Sequence, residues 1–329
     1  MKLYSTLALF VLATVALPAQ DQAPSDAARA WISIARQAQQ QVRDNRFAEA
    51  ADSGKKALQL AKHFGSSDPK LGSTYHLLGI IYRDWGHCAE SRSNYSHAIA
   101  IWLRQPVANP RYIFNSVTSL ISVMCECDEF EAAEKMFRTY RVELQKYTSD
   151  SLDEAKLIAL RGILARGRKD YAGSEVLLRQ SIELMEKSPL STPLDIAVQR
   201  SSLAVLLDKQ GHHVESLAES MRAIDFLERN SPKHPSLLAS INNAACSLAD
   251  LGRREEAERM FKRALEMGRE LYGEDNRVTA KVMLSYSRLL RENNETPAAA
   301  DYLKKGTEAF RRSLTRDSAT VDVEELRKK

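Results

Sequence analysis

The stretch LGRREEAERMFKRAL, Leu251–Leu265, sets Gly252 ahead of Ala257, Phe261 and Ala264. The spacings of four and three among the last three residues place them on one face of an α-helix. The glycine at the head marks a turn. Small residues on such a face let a second helix approach closely, and the large one fills the groove beside the crossing.

The same pattern recurs along the chain. Aligned on Gly252, the turn falls at Asn45, Gly86, Asp128, Lys169, Gly211, Gly252 and Asn293, at intervals of 41 or 42 residues. Five residues after each turn stands Ala50, Ser91, Ala133, Ser174, Ser216, Ala257 or Ala298, always small. Nine after it the residue is mostly large (Tyr95, Phe137, Leu178, Phe261, Tyr302), and twelve after it mostly small. Upstream, the positions seven and four before the turn carry small or apolar residues at helical spacing, as with Ala245 and Leu248. Each unit therefore reads as helix A, a short turn and helix B. Turn-rich segments such as HFGSSDPKLG and NSPKHPSLL separate the units, with Gly65 and Gly273 where a left-handed helix-ending residue is expected. Seven units fill residues 30–312. A single hairpin cannot bury its apolar stripe, so the hairpins must stack. The expected fold is all-α, a solenoid of about seven hairpins. Irregularity is expected in unit four, where Arg161 replaces an apolar residue and the turn is Lys169-Asp170.

Composition agrees. Of 329 residues 44% are hydrophobic and 27% charged, which fits an ordered chain, and the sparse Gly (13) and Pro (10) favour helices. A net charge of +4 is small for this length and gives no case for a nucleic-acid partner. The first twenty residues, MKLYSTLALFVLATVALPAQ, differ in kind. Lys2, an apolar run from Leu7 to Leu17 and small residues at Ala16 and Ala19 have the layout of a secretory signal peptide over 1–19. The alternative is an uncleaved anchor. Residues 20–29 then read as a linker and 313–329 as a polar tail or capping helix. This predicts a periplasmic or secreted protein with no stable membrane span after signal removal.

The marks resemble the tetratricopeptide repeat, in the long form found in kinesin light chains. Unit two carries Leu78-Gly79, Tyr82, Gly86, Tyr95 and Ala98 in the matching places. Unit six carries His234-Pro235, Ile241-Asn242-Asn243-Ala244, Leu248, Gly252-Arg253, Glu255-Glu256-Ala257-Glu258 and Lys262-Arg263-Ala264-Leu265, followed by Leu271-Tyr272-Gly273. The resemblance covers nearly the whole mature chain and is weakest in units one and four. It implies that Tyr82, Phe137, Phe261 and Tyr302 pack in the core.

The resemblance also implies a right-handed superhelix whose A helices line a concave groove, through residues ten, six and three before each turn. The candidate groove residues are His76, Ile80, Arg83, Thr118, Ser122, Ile163, Arg166, Val205, Asp208, Asn242 and Asn243. The last unit supplies Met283, Ser287 and Leu290 at the same offsets. Such a trough suits a protein or an extended or helical peptide, with Arg83 and Arg166 able to hold a carboxylate by paired hydrogen bonds. The oligomeric state is not legible.

Four cysteines occur. Cys88 starts helix B of unit two, and Cys125 and Cys127 end helix A of unit three, so these places are neighbours. Three buried thiols, or a bridge from Cys88 to Cys125 or Cys127, are both open; Cys246 is left free. A zinc site from His87, Cys88, Cys125 and Cys127 lacks any paired CxxC motif, so no metal or other cofactor is expected. No hydrolase, metalloprotease or phosphate-loop motif is present, and repeats leave no room for a catalytic domain. A non-catalytic binding scaffold is expected. The alternatives are an assembly subunit of an envelope complex using convex or terminal surfaces, and an enzyme with an unrecognised site.

Overall fold

The computed structural model describes residues 25–105, 110–148, 150–274 and 276–315. The expected signal peptide lies outside them, as do Val321, Val323 and Leu326 of the expected capping helix. Fifteen helices and no strands occur among the described residues. They fall into two compact units, divided between residues 148 and 150. Each is a stack of helical hairpins, and the fold class is an all-α solenoid.

The first unit holds three hairpins. These are α1 (Asp26–Arg43) with α2 (Phe47–His63), α3 (Pro69–Asp84) with α4 (Cys88–Leu103), and α5 (Pro110–Glu126) with α6 (Phe130–Thr139) and α7 (Arg141–Tyr147). The second holds four: α8 (Ser151–Gly167) with α9 (Tyr171–Lys187), α10 (Pro193–Lys209) with α11 (His213–Asn230), α12 (Pro235–Asp250) with α13 (Arg254–Tyr272), and α14 (Arg277–Glu292) with α15 (Thr296–Thr315). Helix α1 thus begins inside the segment 20–29 that reads as a linker.

Every A-to-B turn is the same object. The turn residue has positive φ at Asn45, Gly86, Asp128, Lys169, Gly211, Gly252 and Asn294. Its N–H bonds back three residues and the next N–H bonds back five, as in Gly252 to Ala249 and Arg253 to Leu248, each at 2.9 Å. These two bonds close the carbonyls that a helix end leaves open. In the last hairpin the turn is Asn294 and not Asn293: Asn294 bonds to Arg291 at 3.1 Å and Glu295 to Leu290 at 2.9 Å. The shift repairs the pattern. Ser287 and Gly306 now take the small positions seven before and twelve after the turn, where the other register puts Tyr286 and Lys305.

The A helices start differently. Ser25, Asp68, Asp150, Thr192, His234 and Asn276 each cap an A helix with a side chain that accepts a backbone N–H. At α10 the cap is reciprocal, because Asp195 also takes the Thr192 N–H at 2.9 Å. The B helices α2, α4, α6, α11 and α13 have no such cap. They inherit their direction from the backbone turn.

The small residue five after the turn is buried in every hairpin: Ala50, Ser91, Ala133, Ser174, Ser216, Ala257 and Ala299. Where it is serine, its hydroxyl donates across the crossing to the A helix, Ser91 to Gly79, Ser174 to Gly162 and Ser216 to Ala204, at 2.7–2.8 Å. Alanine leaves no polar group to satisfy there, and serine satisfies its own. Tyr82 and Phe261 are buried as expected, while Phe137 and Tyr302 are half-buried.

Unit four is regular, against expectation: α8 and α9 are unbroken and Arg161 points to solvent. The irregular hairpin is the third. Tyr140 stands twelve after its turn, where the other hairpins have Ala, Ser or Gly. The ring is fully buried. The B helix breaks there into α6 and α7, because a side chain of that size cannot be buried at a close crossing without displacing the backbone.

Candidate functional site

The observed turns give the A helices a common register. Seven before the turn stand Ala38, Gly79, Ile121, Gly162, Ala204, Ala245 and Ser287, all buried. Six before it stand Gln39, Ile80, Ser122, Ile163, Val205, Cys246 and Arg288, all half-buried. Neighbouring positions lie about 100° apart around a helix. Each A helix therefore seals one edge into its hairpin and leaves the next edge part-open.

In the first unit this face carries Ile80, Arg83, Thr118 and Ser122. His76, ten before its turn, is not part of the open face. It is buried, with Nδ1 2.9 Å from the Ser116 hydroxyl on the next A helix and its ring edge-on to Tyr95 at 5.2 Å. Burial, and then the nearby Arg83 charge, lower its pKa to about 4, so the imidazole is neutral at pH 7. Its role is to join α3 to α5. Trp31 does the same between α1 and α3, donating to Thr74 at 2.8 Å. The Thr118 hydroxyl donates back to the Phe114 carbonyl at 2.8 Å. Arg83 bonds Asp84 at 2.8 Å. Burial opposes its charge, but Asp84, Tyr95 and Glu126 outweigh that, and the guanidinium stays charged.

Beside this face Cys88 and Cys127 are disulfide-bonded, with Cα atoms 6.4 Å apart, and the buried Cys125 lies outside the bond. His87 turns instead to Glu90 at 3.2 Å and stacks on Trp85 at 4.3 Å.

In the second unit the face carries Ile163, Arg166, Val205, Asp208 and Asn242, all half-buried. Asn243 is used within the structure: its amide reaches the Ser201 hydroxyl at 3.3 Å, beside a Ser240 to Ser201 bond of 3.2 Å, and these join α12 to α10. At the turn end Asp208 accepts from His213 Nδ1 at 3.1 Å, and Asp250 lies 3.8 Å from the same nitrogen. Asp250 also takes Arg288 at 3.1 Å. Burial pushes the free Cys246 thiol up to about 11, so it is protonated at neutral pH. Met283, Ser287 and Leu290, which sequence reasoning put on this face, are buried. With the turn at Asn294 the face of the last hairpin is Leu284, Arg288 and Arg291. Sequence reasoning missed these. The signal was present in the small residues Ser287 and Gly306, which fit only the shifted register.

A repeat of helical hairpins with this register defines a class of protein by its geometry alone. The family model described as "Tetratricopeptide repeat" matches residues 195–270 and 241–312. The chain is 27% identical over 271 residues to Protein KINESIN LIGHT CHAIN-RELATED 3 of Arabidopsis thaliana, covering 79% of this chain and 41% of the relative. Among solved structures it is similar in fold to the Rap conjugation gene regulator of plasmid pLS20 in complex with the Phr* peptide, at TM-score 0.69 and 11% identity, covering 93% of this chain and 81% of that one. A Rap protein complexed with competence and sporulation factor gives TM-score 0.68 and 11% identity, covering 89% and 78%. Residues 195–312 thus carry tetratricopeptide repeats, and the hairpins before them keep the same spacing of turns. No helix among the described residues is long and apolar enough to cross a membrane.

Proposed function

We propose that the chain is a non-catalytic scaffold that binds a protein or an extended peptide on the open face of its A helices, outside the cytoplasm. One observation carries this reading. The position six before each turn is half-buried in all seven hairpins. Packing within the hairpin is done by its neighbour, seven before the turn. In the second unit Ile163 and Val205 are apolar there, with Arg166 and Asp208 a turn further on; within the first unit Ile80 and Arg83 take the same two places. An apolar stripe with a few placed charges suits a chain that lays its side chains along the helices. The Rap structures of similar fold were determined with the Phr* peptide or with competence and sporulation factor bound, which supports the same use of this one. The location rests on the signal-like first nineteen residues.

The test starts from a partner captured by affinity purification from the exported fraction and identified by mass spectrometry. Capture is then compared for Val205→Glu, for Arg83→Ala with Arg166→Ala, and for Val176→Glu at an exposed position on the B helix α9. Loss with the first two and retention with the third is the expected result. The reverse pattern overturns the reading and favours assembly through the B helices. Mass measurement of the same sample shows whether residues 1–19 are removed.

A further inference from the structure

We propose that Asp208, His213 and Asp250 form a binding site for a first-row divalent cation such as zinc, clasping hairpins five and six. The three residues come from three helices: Asp208 near the end of α10, His213 opening α11 and Asp250 ending α12. One ligand atom from each lies within 4.8 Å of the other two. Some point then lies within about 2.8 Å of all three atoms, so shifts of under about 1 Å reach the 2.0–2.2 Å distances of zinc–nitrogen and zinc–oxygen bonds. One imidazole nitrogen and two carboxylates form a donor set of intermediate hardness, which suits zinc and its neighbours better than calcium or magnesium.

The arrangement is incomplete without a cation. A single ring nitrogen carries a single proton. His213 Nδ1 gives it to Asp208 at 3.1 Å, and Asp250 faces the same nitrogen at 3.8 Å. Two carboxylates thus converge on one N–H that serves only one of them. Arg288 donates to Oδ2 of Asp250 at 3.1 Å, the same oxygen that faces His213, and offsets part of this charge. Replacing the proton by a divalent ion gives both carboxylates and the nitrogen a shared partner. That joins the turn of one hairpin to the helix end of the next, so binding would stabilise the second unit. The site shares Asp208 with the proposed peptide-binding face, but metal binding and Tm are read without any peptide, so the two readings fail separately.

The experiment uses the full chain without a histidine tag, stripped with EDTA and titrated with zinc in a calorimeter, with a thermal melt at each end point. The expected result is saturable one-to-one binding and a raised Tm in the parent chain. Asp208→Asn and His213→Ala should each weaken binding at least about tenfold and remove the Tm rise. His212→Ala, which alters the exposed neighbouring imidazole, should leave both unchanged. Circular dichroism without metal confirms that the variants are folded. Absence of saturable binding in the parent overturns the proposal. So does undiminished binding in folded Asp208→Asn and His213→Ala.

Discussion

Gly79 lies flat against the ring of Tyr95: a Cβ added to the glycine would stand 2.7–2.9 Å from three ring atoms. The two residues sit seven before and nine after the same turn, on the two helices of one hairpin. Tyr95 is fully buried and cannot swing aside. Gly79→Ala should therefore destabilise the protein by about 1–2 kcal/mol, even though alanine is the better helix former by about 1 kcal/mol. Urea unfolding of the two proteins checks the sign. A stabilised variant would show that the crossing is looser than described.

The turns allow the opposite experiment. Lys169 holds φ at +64°. A residue with a Cβ spends about 1 kcal/mol in that conformation, and glycine does not. Lys169→Gly should stabilise by about 0.5–1 kcal/mol, net of the added freedom of the unfolded chain. Gly252→Ala should cost a similar amount. Midpoints of chemical unfolding give both values.

Buried His76 makes stability depend on pH. Its pKa is lowered to about 4 in the folded chain and returns to the ordinary 6.5 on unfolding. Above pH 6.5 neither state carries the proton, and the fold has its full stability from this group. As pH falls from 6.5 towards 4 the unfolded chain takes up the proton first, and about 3 kcal/mol is lost. His76→Gln should flatten the profile in that window. An unchanged slope between pH 7 and pH 4 would count against the burial described for this imidazole.

The Cys88–Cys127 bond closes a loop across hairpins two and three, with a sequence separation of 39. Restricting the unfolded chain in this way stabilises by up to about 4 kcal/mol. Cys88→Ser with Cys127→Ser should lower the midpoint of unfolding to that of the reduced parent chain. Reductant should then have no further effect on the variant.

Much of this architecture was legible because it rests on steric rules that read directly as letters. A left-handed turn favours Gly, Asn or Asp, and a close crossing favours Ala, Ser or Gly, so six of the seven turns, Lys169 among them, could be placed by the spacing of their neighbours. The seventh slipped by one residue because Asn293 and Asn294 are chemically equivalent and only the neighbours decide between them. Tyr140 was read past for a different reason. A large residue at a small-residue position can be tolerated or can break the helix, and only the surrounding packing settles which. The candidate face was the least legible part. His76 and Asn243 are the residue types that bind ligands, but here their partners are Ser116 and Ser201 on a neighbouring A helix, some forty residues away, and no local pattern announces such pairs.

The two ends of each A helix differ in what holds them, and this has a practical consequence. At the start of the six A helices whose cap residues are described stands a side-chain cap, following a loop whose sequence varies from one junction to the next. At the end stands a backbone lock that fixes the helix to its partner within two residues. The smallest block that could be transplanted is thus the A–B pair, and a chimera should be spliced before Thr192 or Asn276 and never at Gly211 or Gly252. A binding surface built from one open position per pair could then be rewritten by shuffling whole pairs, with the scaffold untouched.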